Sequence, residues 1–259
     1  MKLCFPFMLF TVCMSATAFS QTSSNGEKVF LIKAAPQPIN VKASNTAVIV
    51  IDMENDFCSK GGMFDRAGID ITPIQQAISP TAKVLNAARN AGFKIIYLKM
   101  AFKDDLSDIG KEGSPNRRRH LQLHVGDTIT APDGSKSRIL IRNNWGTEVV
   151  PALQPQNSDA VLYKTRFGGF YNTELDSILK SNNISNLVII GCTTSVCVMS
   201  TAMQAMFEDY SPIVLKDCTA NPAGLARSNQ DASILTIQTL LGWVATSDDF
   251  INAIKAGIK

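Results

Sequence analysis

Thr46-Ala47-Val48-Ile49-Val50-Ile51 is apolar or β-branched at every position, and this unbroken run constrains the fold more than any other segment of the 259 residues. A strand with one wet face alternates apolar and polar residues. A strand without alternation must be covered on both faces, the condition of a parallel sheet between helical layers. Leu187-Val188-Ile189-Ile190 repeats the pattern. Lys94 to Leu98, Ala160 to Tyr163 and Pro212 to Leu215 read as further strands, and a shorter one is expected at Ser137 to Ile141. Between them lie segments with helical spacing: Ile74 to Ala91, closed by Gly92 as a C-cap, Leu175 to Lys180, Asp231 to Leu241 and Asp248 to Ala256. Strand and helix in alternation predict a three-layer α/β/α sandwich with a mostly parallel, Rossmann-like central sheet.

Ligands of such sheets sit beyond the carboxyl ends of the strands. Three reactive side chains fall at those ends. Asp52 follows the strand ending at Ile51, and Lys164 follows the strand ending at Tyr163. Cys197 comes after the strand ending at Ile190, across the turn Gly191-Cys192-Thr193-Thr194-Ser195-Val196. Val198, Met199, Ala202, Met203, Met206 and Phe207 recur at helical spacing, so Cys197 is expected in the first turn of a helix. Unpaired backbone N–H groups and the helix dipole there favour a thiolate. If the strands are neighbours, a carboxylate, an ammonium and a thiol meet at one mouth. Asp52 is then the general base and acid, Lys164 favours the thiolate, and the backbone of the 193–197 turn holds an oxyanion.

The remaining composition narrows the function classes. Lys2 followed by the apolar stretch Leu3 to Val12 and the small residues Ser15 to Ala18 reads as a signal peptide, cleaved after Ala18 or, preferably, after Ser20. The run is too short for a membrane anchor and Pro6 interrupts it, while the residues before Cys13 are too bulky for a good lipoprotein signal. The expected layout is a signal peptide at 1–20, an extended segment at 21–44 and a hydrolase domain at 45–259. The mature protein is expected to be periplasmic or secreted, with no membrane attachment. A net charge of +3 gives no nucleic-acid signature, and the basic cluster Arg117-Arg118-Arg119 has no interleaved aromatic residues. It reads as a solvated loop towards which an anionic substrate group can be drawn. His120 and His124 read as exposed loop residues, since nothing completes a metal site around them. Cys58, Cys192, Cys197 and Cys218 are too few for a disulfide scaffold and are expected free, with a Cys192–Cys218 bridge as the alternative.

The motifs Val50-Ile51-Asp52-Met53-Glu54-Asn55-Asp56-Phe57 and Gly191-Cys192-Thr193-Thr194-Ser195-Val196-Cys197-Val198, with the Lys164 strand end, resemble the isochorismatase-like cysteine hydrolases. The resemblance implies an Asp52–Lys164–Cys197 triad, a cis peptide between Cys192 and Thr193, and an oxyanion hole from the Thr193 and Cys197 amides. It also implies a homo-oligomer and no cofactor or metal, because Lys99 to Asp104 holds none of the histidines of the zinc-bearing nicotinamidases. From about residue 46 to 253 the chain is most similar to the ureidoacrylate amidohydrolase branch. Gly61 to Gly68, Gly113 to Asn116, Leu153 to Gln156, Lys164 to Thr173 and Leu241 to Val244 carry that likeness. Met63, Met100, Phe102 and Phe167 depart from it, standing where that branch usually has Tyr, Asn, Trp and Tyr. The expected pocket comprises these four, Phe57 and Tyr171, with Arg166 and Asn172 as polar members. The expected reaction is cleavage of a C–N bond in a small amide or ureide. A nicotinamidase-like or isochorismatase-like activity, a thiol-redox role and a non-catalytic amide-binding protein are the alternatives.

Overall fold

The computed structural model describes residues 27–224 and 227–257, so the expected signal peptide lies outside the described residues. A hairpin, β1 (Val29–Ile32) and β2 (Ile39–Lys42), opens the described chain. Six strands then build the central sheet: β3 (Thr46–Ile51), β4 (Lys94–Met100), β7 (Ala160–Lys164), β8 (Asn186–Cys192), β9 (Ser211–Ala220) and β10 (Trp243–Ala245). Between β4 and β7 lies a second hairpin, β5 (Thr128–Thr130) with β6 (Lys136–Arg138). The helices are α1 (Asn55–Cys58), α2 (Met63–Arg66), α3 (Thr72–Asn90), α4 (Pro115–Gln122), α5 (Leu175–Ser181), α6 (Met199–Phe207), α7 (Arg227–Thr236) and α8 (Ser247–Gly257).

The sheet order is β10-β9-β8-β3-β4-β7, and every pairing in it is parallel. The chain therefore runs outward through β3, β4 and β7, returns to the centre, and runs outward the other way through β8, β9 and β10. The crevice at β3 and β8, where the two runs part, is where such a sheet opens to a ligand.

The unbroken apolar runs are explained by what covers them. All six residues of β3 are buried. Val48 and Val50 face one core with Val188, Ile190 and the α3 and α8 residues Val84 and Phe250. Ala47, Ile49 and Ile51 face the other with Leu175 of α5 and Ala202 of α6. The predicted three layers thus follow from β3 having no wet face.

Three local expectations are corrected. The segment at 21–44 was read as polar and extended, yet it forms the β1–β2 hairpin and buries Phe30 and Ile32. The strand expected at Ser137 to Ile141 ends at Arg138, and Ile141 only bridges to Phe102. The short β10 completes the sheet edge beside β9 and was not foreseen. Among the described residues no helix is long and apolar enough to cross a membrane.

Candidate active site

The crevice is built by two strand ends that nearly touch. Gly191 has φ +118, and a Cβ there would overlap the Ile51 carbonyl, so only glycine lets β8 run this close to β3. One residue further along β3, Asp52 adopts φ 52, a left-handed conformation that aspartate tolerates better than most residues. Its amide donates to Leu98 O at 2.9 Å, and the Cys192 thiol donates to its carbonyl at 3.1 Å. The Cys192–Thr193 peptide is cis. After it the chain winds through a wide π-helical turn, Thr194–Val198, before α6 begins. Cys197 sits in that turn, and its carbonyl accepts from the Thr201 hydroxyl at 2.7 Å.

Asp52, Lys164 and Cys197 converge as the strand-end reading requires, with one difference. Lys164 does not lie on a strand next to β3; β4 stands between them. The ammonium passes over the end of β4, touching Met100 Sδ at 3.6 Å, and meets Asp52 Oδ2 at 2.8 Å. Both partners of this ion pair are buried, and Cys197 is only 7% exposed. Neither Asp52 carboxylate oxygen has a well-formed hydrogen bond among the described residues, and the Cys197 thiol is a neighbouring donor.

The electrostatics follow from burial. Desolvation raises the pKa of the Asp52 carboxyl, against the opposing pull of Lys164. It also works against the Lys164 ammonium, but Asp52 and Cys197 outweigh it and the Lys164 pKa is raised. The Cys197 thiol is pushed far up by burial and then by the Asp52 carboxylate, with Lys164 offsetting only part. This corrects the expected resting thiolate: the helix turn and Lys164 do not overcome a dry pocket shared with a carboxylate. The stable arrangement is a thiol beside an Asp52–Lys164 ion pair.

Two acidic residues of the Asp52 motif have structural parts that the sequence did not reveal. Glu54 is fully buried, accepts the Met100 amide at 2.7 Å, and has its pKa raised well above the usual range by burial and by Asp52. It holds the end of β4 under Lys164. Asp56 accepts from the Met63 amide at 3.0 Å and the Leu140 amide at 2.7 Å, tying α2 and the 140 loop to α1. Burial lifts its carboxyl to about 6.

Above the ion pair opens a cavity of about 500 Å³. Asp52, Cys192, Thr193 and Cys197 form its floor, and Phe57, Met63, Met100 and Phe167 line it as expected. Phe64, Ile69, Leu123, Val196 and Pro222 add to the apolar wall. Four expected pocket residues lie elsewhere. Phe102 is fully buried behind the wall, edge-on to the His120 ring at 5.0 Å. Arg166, Tyr171 and Asn172 line a separate surface groove with Asp108 and Arg142, where the Arg166 guanidinium lies 5.3 Å from the Tyr171 ring centre. The turn after Lys164 carries those side chains to the far side of the strand end.

The largest omission concerns α4. The basic cluster and His120, read as a solvated loop, form this helix, whose Ser114 side chain accepts from the Arg117 amide at 3.3 Å. A serine N-cap followed by Pro115 was the available signal. His120 is buried rather than exposed, and both it and Arg119 line the cavity. His124 is exposed as expected and contacts Asp127 at 3.0 Å. The four cysteines of the described chain are buried and unbridged. Among the described residues no group of three or more His, Cys, Asp or Glu side chains is placed to hold a metal.

Residues 46–249 match the family profile described as an Isochorismatase domain. The chain is 39% identical to the ureidoacrylate amidohydrolase RutB of Caulobacter segnis over 222 residues, which is 85% of this chain and 90% of that one. It is 37% identical to the protein of the same name from Serratia proteamaculans, over 92% of this chain and 94% of that one. Its fold matches a cysteine hydrolase from Pseudomonas syringae pv. phaseolicola with a TM-score of 0.71 and 29% identity, covering 84% and 95% of the two chains. It also matches N-carbamoylsarcosine amidase from Thermoplasma acidophilum, with a TM-score of 0.58 and 25% identity over 79% and 97%.

Proposed function

The chain belongs to the isochorismatase family, and from that premise we propose that it is an exported amidohydrolase that cleaves the C–N bond of a small amide or ureide through an acyl-enzyme on Cys197. The observation that carries this reading is the buried Asp52–Lys164 ion pair, 2.8 Å long, beside the thiol on the cavity floor.

In the proposed course the substrate carbonyl lies over Thr193 and Cys197. Asp52 takes the thiol proton as the sulfur attacks, so a high resting thiol pKa is met by a base already in place. The developing oxyanion is held by the Thr193 and Cys197 amides. Asp52 then returns the proton to the leaving nitrogen, the C–N bond breaks, and a thioester remains. Water gives a proton to Asp52 and its hydroxide adds to the thioester, after which the sulfur leaves and recovers the proton. Lys164 keeps Asp52 ionised in a site that desolvation would otherwise neutralise, and it balances the charge passed between thiol and carboxyl. When the acyl group is carbamoyl, the product is carbamate, which decays to ammonia and carbon dioxide.

Two of the most similar relatives are ureidoacrylate amidohydrolases, which supports a ureide as the substrate. The wall of Met63, Met100 and Phe167 favours a less polar member of that class. Export rests on the first 20 residues, and intact-mass analysis of the mature protein tests it: removal of 20 or 18 residues is expected, and a retained Met1 opposes it. An ammonia-release screen over ureides, N-carbamoyl amino acids, nicotinamide and simple amides, with Cys197→Ala as control, tests the activity. Turnover of carbamoyl compounds that vanishes in the variant is expected. Turnover of nicotinamide alone would overturn the substrate class.

A further inference from the structure

His120 is a buried side chain of the cavity whose polar atoms the proposed chemistry does not use. It is 5% exposed, held edge-on by Phe102 at 5.0 Å and flanked by Phe167 at 5.9 Å. Its Nδ1 lies 2.7 Å from the Asn116 carbonyl. A carbonyl oxygen only accepts, so Nδ1 carries the proton and Nε2 presents a lone pair. Burial, aided by Lys164 and Arg166, holds the ring below the usual histidine range and therefore uncharged. Asn116 is itself anchored, its amide donating to Ile109 O at 2.7 Å, so the ring cannot turn freely. Among the described residues Nε2 has no protein partner, and the residue lines the cavity. On the same turn Arg119 places an exposed guanidinium at the cavity rim and makes no ion pair among the described residues.

We propose that the last turn of α4 selects the substrate with two unlike groups. His120 Nε2 accepts a hydrogen bond from the N–H that joins a carbamoyl group to an apolar body, and Arg119 pairs with a carboxylate at the far end of that body. The substrate class is an N-carbamoyl amino acid with a bulky apolar side chain. The cavity of about 500 Å³ has room for that side chain between Met63, Phe64 and Phe167. The proposal rests on the amide-hydrolase reading for the position of the carbonyl over Cys197.

Binding measured in a Cys197→Ala background separates recognition from turnover. Three probes suffice: N-carbamoyl-phenylalanine, its carboxamide, and the O-carbamoyl analogue in which oxygen replaces the bridging N–H. Calorimetry is expected to show the acid binding about tenfold tighter than the O-carbamoyl analogue, the size of one hydrogen bond lost in a dry site, and about threefold tighter than the carboxamide, the size of an ion pair at an exposed rim. His120→Phe, which keeps the ring packing, is expected to weaken the acid about tenfold and the O-carbamoyl analogue less than twofold. His120→Gln retains an acceptor and is expected to recover part of the loss, and Arg119→Gln to make acid and carboxamide bind alike. Equal weakening of both bridging analogues by His120→Phe, an acid-to-carboxamide ratio untouched by Arg119→Gln, or no binding of any probe would overturn the proposal. Selective binding without turnover in the Cys197 parent would support it and sink the hydrolase reading instead.

Discussion

The floor of the cavity and its walls are made in different ways. The floor is charged, dry and supplied by the ends of the sheet: Asp52 from β3, Lys164 from β7 and Cys197 after β8. The walls are apolar and supplied by what the sheet inserts between its strands, namely α1, α2, α4 and the 222–224 loop. Strand ends are fixed by the two cores packed on either face of the sheet, so they suit chemistry that tolerates little displacement. Short helices and loops can change sequence without disturbing those cores, so they suit selection among substrates. The comparison predicts that damage to the floor destroys activity or stability outright, whereas damage to the walls redirects preference.

The largest effect is expected at Cys197, the proposed nucleophile. Cys197→Ala should lower turnover by about 10⁴-fold or more while leaving the urea midpoint nearly unchanged. Activity within tenfold of the parent would remove Cys197 from the chemistry. In the parent, the acid limb of kcat/KM should lie above the range of an ordinary aspartate, because burial raises Asp52. Asp52→Asn should remove that limb together with the activity.

Next comes the ion pair. Lys164→Met strands a buried carboxylate and should cost about 3–5 kcal/mol in chemical denaturation. Adding Asp52→Asn removes the orphaned charge, so the double variant should be more stable than Lys164→Met alone. If it is not, the two residues are not acting as a pair.

A wall change should be smaller and differently directed. Met63→Tyr with Phe167→Tyr restores polar groups found in the ureidoacrylate branch. It should shift kcat/KM about tenfold towards small, carboxylated ureides without touching the fold. A uniform loss on every substrate would mean that these residues support the floor as well.

The smallest effect concerns Asp56, which ties α2 and the 140 loop to α1. Its folded carboxyl titrates at about 6, above its value in an unfolded chain. Between about pH 4 and 6 the folded state therefore binds a proton that the unfolded state has released, and Asp56 makes stability fall as pH rises. Asp56→Asn should abolish that contribution, a change in slope of up to about 1.4 kcal/mol per pH unit in this window. Parallel stability–pH curves for parent and variant would contradict the burial of this carboxyl.

The same division explains what could be read from the chain. Strands β3 and β8 were legible because burial on both faces leaves no polar position to confuse period two with period 3.6. Asp52 and Cys197 were legible because each follows such a strand. That Lys164 acts across β4 was not, since strand order is set by packing and no local pattern records it. The walls were legible only in part. Met63, Met100 and Phe167 line the cavity, but Arg166, Tyr171 and Asn172 line another groove, because the direction of the turn after Lys164 is not encoded in composition. His120 was hidden by three preceding arginines, which made a short helix with one buried residue look like a solvated loop.

Met100 belongs to both regions. Its amide is clasped by Glu54, its sulfur lies against the Lys164 ammonium, and its side chain lines the cavity. A polar replacement would alter the substrate's surroundings and the solvation of the ammonium in one step. Selection on diet alone therefore cannot act there freely. A lineage drifting towards a new amide would find its inexpensive moves at Met63, Phe167 and the last turn of α4, and would reach residue 100 only with compensation at Glu54 or Lys164.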